Sequence, residues 1–235
     1  MSGMKIEVLF PEFCNLFGDL FNVKYLEKCL PEAQRVDTPL SGQPLFVQEA
    51  PSLIYMGPMS ERSQEKVIAK LKPYRQRLEE LIQEGTAFLL TGNALEVLGN
   101  SIEQEDGSQI PGLGLLPLRA RRDMMHRHNS VFLGDWQGQE VIGFKSQFTM
   151  AWPEEKAQGL FPVKKGVGLN PKEGFEGLRR QNLFATYLLG PVLLMNPGFT
   201  RSILKAMGAE APSLALESVV QTAWESRIRD FHEKC

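Results

Sequence analysis

Between Met4 and Gly99, short apolar runs alternate with longer stretches of helical periodicity, and this alternation is what most restricts the fold. "MKIEVLF" is rich in strand formers. The segment after it places Leu20, Val23, Leu26, Cys29 and Leu30 at helical spacing, with Asp19 positioned to cap the helix and Pro31 to stop it. "QRVDTPL" and "SLIYMG" read as strands. "SERSQEKVIAKLKPYRQRLEELIQEG" is the clearest helical stretch: Ser60 caps it, Val67, Ile68, Leu71, Tyr74, Leu78, Leu81 and Ile82 share one side, and Gly85 ends it. Pro73 should kink or divide it. "FLLTGNALEVLG", residues 88–99, then reads as strand, tight turn and helix start. Strands separated by helices pair in parallel and carry the helices on both faces, so the expected fold is α/β. Ligands in such folds sit beyond the C-terminal ends of strands, where the turns "MGPMSE" and "TGNALE" fall.

From about Asn100 the texture changes. "SIEQEDGSQIPGLGLLPL" is loop-like. "SVFLGDWQGQEVIGFKSQFTMAW" reads as two strands joined by a hairpin around Gly134–Gly138. Residues 154–181 are polar with little periodicity. "NLFATYLL" is a strand, and helices start near Pro197 and Ser213. No repeat or linker interrupts the chain, so residues 1–235 are expected to form a single domain.

A chain of 235 residues with 43% hydrophobic content can bury a full core. The formal net charge of −2 supplies no basic field, which argues against nucleic acid as a partner. No apolar run reaches ~18 residues, and the N-terminus lacks a charged segment leading into an apolar one, so no membrane insertion and a cytoplasmic location are expected. Cys14, Cys29 and Cys235 are far apart and suit neither a disulfide framework nor a metal site.

The chemistry-bearing residues are sparse. His126 and His128 would share a face on a strand, but no ligand motif accompanies them, and no metal or other cofactor is expected. Arg119, Arg121, Arg122, His126, Arg127 and His128 form a basic stretch, read either as a local anion site or as a charged edge strand. Cys14 and Thr91 are candidate nucleophiles without an evident base. The G-x-G pairs in "GLGLLPL" and "GVGLNP" do not lead into helices.

The ordered segments resemble class I glutamine amidotransferase-like proteins of the cobyric acid synthase type, and among them most closely the glutaminase subunit type of lipid II isoglutaminyl synthase. "LFPEFCNLFGDLFNVKYLEKCL", "IYMGPMSERSQEKVIAKL", "LEELIQEGTAFLLTGNALEVLG", "QEVIGFKSQFTMAW" and "GFEGLRRQNLFATYLLGPVLLMNP" carry the likeness over nearly the whole chain. The resemblance implies a three-layer α/β/α, flavodoxin-like, mainly parallel sheet with an added antiparallel hairpin. It also implies a Mur ligase-like or other ATP-dependent ligase subunit as partner.

The departures concern the chemistry. Against the family elbow C-G-G-[YF]-Q-x-L-G, the cysteine position falls on Gly92, the two glycines on Asn93 and Ala94, and the glutamine on Glu96. The histidine of T-Y-L-H-G-P falls on Leu189. The histidine of N-H-G-G falls on Gln147, with Phe148 and Thr149 in place of the glycines, and the triple glycine becomes Gly57, Pro58 and Met59. Glycine cannot attack, leucine cannot accept a proton, and Pro58 offers no N–H to an oxyanion. The resemblance therefore implies a degenerate amidotransferase that scaffolds or regulates a ligase. Two alternatives stay open. One is a module binding an amino acid or anion in the crevice near Gly57, Gly92, Arg127 and Gln147; the other is an enzyme with chemistry relocated to Cys14 or Thr91.

Overall fold

The computed structural model describes residues 3–234, and Cys235 lies outside them. Among the described residues, the strands β1 (Lys5–Leu9), β2 (Gln34–Thr38), β3 (Leu53–Met56) and β4 (Ala87–Thr91) are followed by the short β5 (Ser101–Glu103) and β6 (Gln109–Pro111). Then come β7 (Leu118–Arg122), β8 (His128–Trp136), β9 (Gln139–Gln147), β10 (Thr149–Pro153), β11 (Gln158–Lys165), β12 (Phe175–Arg180) and β13 (Leu183–Thr186). The helices are α1 (Phe21–Cys29), α2 (Glu61–Leu71), α3 (Arg75–Glu84), α4 (Ala94–Val97), α5 (Val192–Met195), α6 (Pro197–Ala206) and α7 (Glu217–Lys234).

A nine-stranded sheet runs in the order β2-β1-β3-β4-β13-β12-β11-β8-β9. Its first five strands pair in parallel: Ile6 faces both Arg35 and Leu53, and Leu90 faces both Met56 and Ala185. β3, β4 and β13 are buried on both faces, which is why they read as unbroken apolar runs. One face carries α2, α3 and α4, packing Val67, Leu71, Leu78 and Leu95 against Ile54, Phe88 and Leu90. The other carries α1 and α6, packing Val23, Leu26, Phe199 and Ile203 against Val8, Tyr55 and Leu89. This is the expected three-layer α/β fold with a mixed, mainly parallel central sheet.

Local rules set the helix boundaries. Ser60 Oγ accepts from the Ser63 N–H at the start of α2, Pro73 divides α2 from α3 through a single 3-10 turn, and Gly85 ends α3 at a φ of +86°. Asp19 departs from expectation. Leu20 occupies the cap position of α1, and the Asp19 carboxylate turns into the protein.

The second half differs most from its sequence reading. The antiparallel addition is larger than one hairpin: β8 and β9 do pair, but β11 and β12 join them to the parallel core. Both of these lie in the stretch 154–181 that showed no periodicity. The loop-like residues after Asn100 hold β5 and β6, which form a second, four-stranded sheet in the order β10-β7-β5-β6. No helix among the described residues is long and apolar enough to cross a membrane.

Candidate functional site

The parallel strands β1, β3, β4 and β13 all point their C-terminal ends the same way, and the turns that follow them meet. Residues 57–60 follow β3, Gly92 and Asn93 follow β4, and residues 187–190 follow β13. Beside them lies a cavity of about 190 Å3. Eight of the nine residues singled out from the sequence line it: Pro58, Met59, Gly92, Asn93, Arg127, Gln147, Phe148 and Leu189. Gly57 stands behind the wall, where a side chain would meet the Cys14 carbonyl oxygen at 2.5 Å. The lining contains no cysteine and no histidine.

Gly92 has a φ of +57°, the left-handed conformation that strand-to-helix elbows impose. A Cβ at this position would lie 2.5 Å from Pro58 Cβ and 3.2 Å from Leu189 Cδ2. Its neighbour Asn93 closes the turn from the other side. Asn93 Oδ1 accepts from the Met59 N–H (3.0 Å), and Asn93 Nδ2 donates to the Met59 carbonyl (2.8 Å). Pro58 has no N–H, and the Met59 N–H is already engaged. The turn after β3 thus directs no free donor of these two residues at the elbow.

Two buried carboxylates support the site, and neither was marked as functional by the sequence. Asp19 accepts hydrogen bonds from the Gly190 N–H, Asn22 Nδ2, the Tyr55 hydroxyl and the Thr91 hydroxyl. Burial pushes its pKa up, against these four donors. Glu96 accepts from Gln64 Nε2 (2.8 Å) and from the Tyr187 hydroxyl (2.9 Å). Burial raises its pKa to about 7, opposed by those two bonds and by the attraction of Arg122. Arg122 reaches the same network by donating to Gln64 Oε1 (2.9 Å). Since Tyr187 also lines the cavity, Glu96 touches the site through one side chain.

The alternative nucleophiles are not brought to the cavity. Cys14 is fully buried, its thiol points at Met59 Sδ (3.8 Å), and burial raises its pKa, with Glu12 adding to the effect. Thr91 is fully buried on Asp19. The basic stretch is also dispersed rather than gathered into one anion site. Arg119 pairs with Glu154, Arg121 with Glu103 and Arg122 with Glu65. His126 precedes the strand that begins at His128 and bonds Asp123, so the two histidines do not share a strand face. His232 is exposed on α7 against Glu140.

Comparison with known proteins identifies relatives of this arrangement. Residues 5–197 match the CobB/CobQ-like glutamine amidotransferase domain. The lipid II isoglutaminyl synthase (glutamine-hydrolyzing) subunit GatD of Staphylococcus aureus is 25% identical over 153 residues, 65% of this chain and 62% of that protein. The match thus spans under two thirds of that relative. The subunit of the same name from Streptococcus pneumoniae is 22% identical over 98% of this chain and 92% of its own length. Among solved structures, PurLQS from Thermotoga maritima aligns with a TM-score of 0.59 at 11% identity, over 87% of this chain and 99% of that one. A glutamine amidotransferase from Thermotoga maritima aligns at 0.52 and 14% identity, over 98% and 92%. These two likenesses concern the fold.

Proposed function

We propose that this chain, which belongs to the CobB/CobQ-like glutamine amidotransferase family, is a non-hydrolysing member, serving as a scaffold or regulatory partner of an ATP-dependent amidoligase of the Mur ligase type. The observation that carries this reading is the packing around Gly92. In a Cys–His acyl transfer, a thiolate attacks, an imidazole moves the proton and backbone N–H groups hold the oxyanion. Here the elbow offers no side chain, Pro58 and Leu189 occupy the space around it, and the Met59 N–H is bonded to Asn93. Removing one member of such a unit typically costs ~10⁴-fold or more in rate.

In this reading Gly92 and Leu189 stand at the nucleophile and base positions. Glycine also relieves a conformation that costs a side-chain-bearing residue roughly 1–3 kcal/mol, so stability is gained where chemistry has been given up. The ligase partner is inferred from relatives named as subunits of a synthase. Residues 1–235 act as one domain in the cytoplasm. Relocated chemistry at Cys14 or Thr91 has less support, because both are buried away from the cavity. A second function, ligand binding in the remaining cavity, is supported by its polar lining.

The test is ammonia release from glutamine by the purified chain, alone and with its ligase, beside a hydrolysing family member. Release at the background rate in both samples, with co-purification of the ligase, is the expected result. An enzyme-like rate abolished by Cys14→Ala or Thr91→Ala would sink the proposal.

A further inference from the structure

Val131 and Phe144 stand opposite each other on the β8–β9 hairpin, and both face solvent, with exposures of 47% and 45%. Beside them runs a groove of about 550 Å3, walled by the hairpin on one side and by α7 on the other. Its floor is Ile142, Met195 and Phe231, continuous with the small core cluster under α7. Phe17, 52% exposed and held at a φ of +60°, stands at the end that adjoins the elbow; Phe17 and Leu189 line both the groove and the cavity there. A bulky residue keeps a left-handed backbone only where its surroundings impose it. Apolar side chains gathered on one concave, exposed face mark an interaction surface, and a mix of aromatics, methionine and arginine is that of a protein interface. α7 lies beyond the residues 5–197 that match the family domain, so one wall of the groove is an addition to that domain.

Two features define the occupant. The outer edge of β9 is already taken: Asn196 bonds both the N–H and the carbonyl of Ile142, the Phe144 carbonyl accepts the Leu189 N–H, and the Glu140 carbonyl accepts from Trp224 Nε1. A partner therefore docks through side chains, as a helix does, and not as an added strand. The second feature is charge. Arg227 lines the groove and Lys165 lies 6.0 Å from the Phe231 ring centroid, and neither has a carboxylate partner among the described residues. Asp230 is the acidic residue of the lining, and Lys234 already bonds it (2.8 Å). A chain of net charge −2 thus presents a basic rim here. We propose that the groove seats an amphipathic helix of the ligase partner, its apolar stripe on Val131, Phe144 and Phe231 and its acidic residues facing Arg227 and Lys165. The proposal rests on the reading that the chain partners a ligase.

Calorimetric titration of the full chain with its own Mur ligase-type amidoligase tests this. Phe144→Glu should weaken the complex at least about 30-fold, the loss typical of a central anchor. Arg227→Glu should weaken it by about 10-fold and flatten its salt dependence, because a rim attraction becomes a repulsion. Both positions are exposed, so both variants should remain folded in a thermal melt. Trp152→Glu, exposed on the four-stranded sheet, should leave the affinity unchanged. A complex indifferent to Phe144→Glu and Arg227→Glu, or weakened as much by Trp152→Glu, would overturn the proposal and leave the ligase reading standing. No complex with the wild-type chain would remove the ligase reading, and the proposal with it. A dimer of the chain alone in light scattering, or its binding to phosphatidylglycerol vesicles, either one lost in Phe144→Glu, would assign the groove to a second copy or to a membrane surface and also overturn the proposal.

Discussion

Pro58 and Gly92 are fitted to each other: the proline ring stands 2.5 Å from the point where any side chain at position 92 would begin. Contact this close requires something to shift, and the φ of +57° adds strain of its own. Gly92→Ala should therefore destabilise the protein by about 2–4 kcal/mol, combining left-handed strain with overpacking. In a chain of this size that lowers the melting temperature by on the order of 10 °C. A thermal melt unchanged within a degree or two would show that the turn is looser than its geometry.

The same fit governs any attempt to restore hydrolysis. Gly92→Cys with Leu189→His should remain inactive and poorly stable, because Pro58 still blocks the new side chain. Adding Pro58→Gly should recover stability relative to the double variant. Ammonia release should appear only when Asn93→Gly is added as well, freeing the Met59 N–H to face an oxyanion. Melting curves and an ammonia assay across the three variants check the order of these effects.

Asn93 has its own measurable role. It ties the turn after β3 to the elbow through both atoms of its amide. Asn93→Ala removes two hydrogen bonds and should cost about 2 kcal/mol; Asn93→Asp keeps the acceptor for the Met59 N–H but sets a charged oxygen against the Met59 carbonyl and should cost at least as much. Urea unfolding with unchanged slope would show these as losses of native stability alone.

Why the sequence revealed some of this and not the rest follows from how each feature is encoded. β3, β4 and β13 are buried on both faces, so their apolar runs announce them. β11 buries Leu160 and Phe161 but exposes much of the rest, and β12 is held by antiparallel pairing with the strands just before and after it, β11 and β13, rather than by an apolar pattern of its own. Such strands leave no alternation to read. At the site, the positions around Gly92, Leu189 and Gln147 were legible through the resemblance to family motifs, and the structure gathers them in one cavity. Asp19, Glu96 and Tyr187 were not, because a polar residue beside a helix start reads as a cap or as surface until the sheet order shows what lies over it. Only the meeting of β4 and β13 places Tyr187 on Glu96 and Gly190 within reach of Asp19.

The ionisation of Glu96 predicts a pH dependence. Its folded pKa of about 7 lies above the ordinary value of 4.5. Between these pH values the folded protein holds a proton that the unfolded chain releases. Stability from this group is therefore full below about pH 4.5 and is lost as pH rises through 7. Glu96→Gln removes the charge, keeps an amide oxygen as acceptor for Gln64 and sets its NH2 as a donor toward the Tyr187 hydroxyl oxygen. Its advantage over wild type should be small near pH 4.5 and grow to on the order of 3 kcal/mol above pH 7. Denaturant melts of both proteins across this range measure the difference, and a difference independent of pH would contradict it.

Asp19 links the buried frame to the cavity wall. Its carboxylate receives the Gly190 N–H, and Gly190 directly follows Leu189, whose side chain fills the space beside the elbow. Asp19→Asn replaces one acceptor oxygen with an NH2 group that must face existing donors, which should cost roughly 3 kcal/mol. The loss should be felt first in the turn after β13. Hydrogen exchange at the Gly190 amide should accelerate more than at β4 amides, because that N–H loses its partner while the ladder between β4 and β13 remains. Equal acceleration across β4 and the turn would mean that Asp19 supports the sheet as a whole rather than holding Leu189 in place.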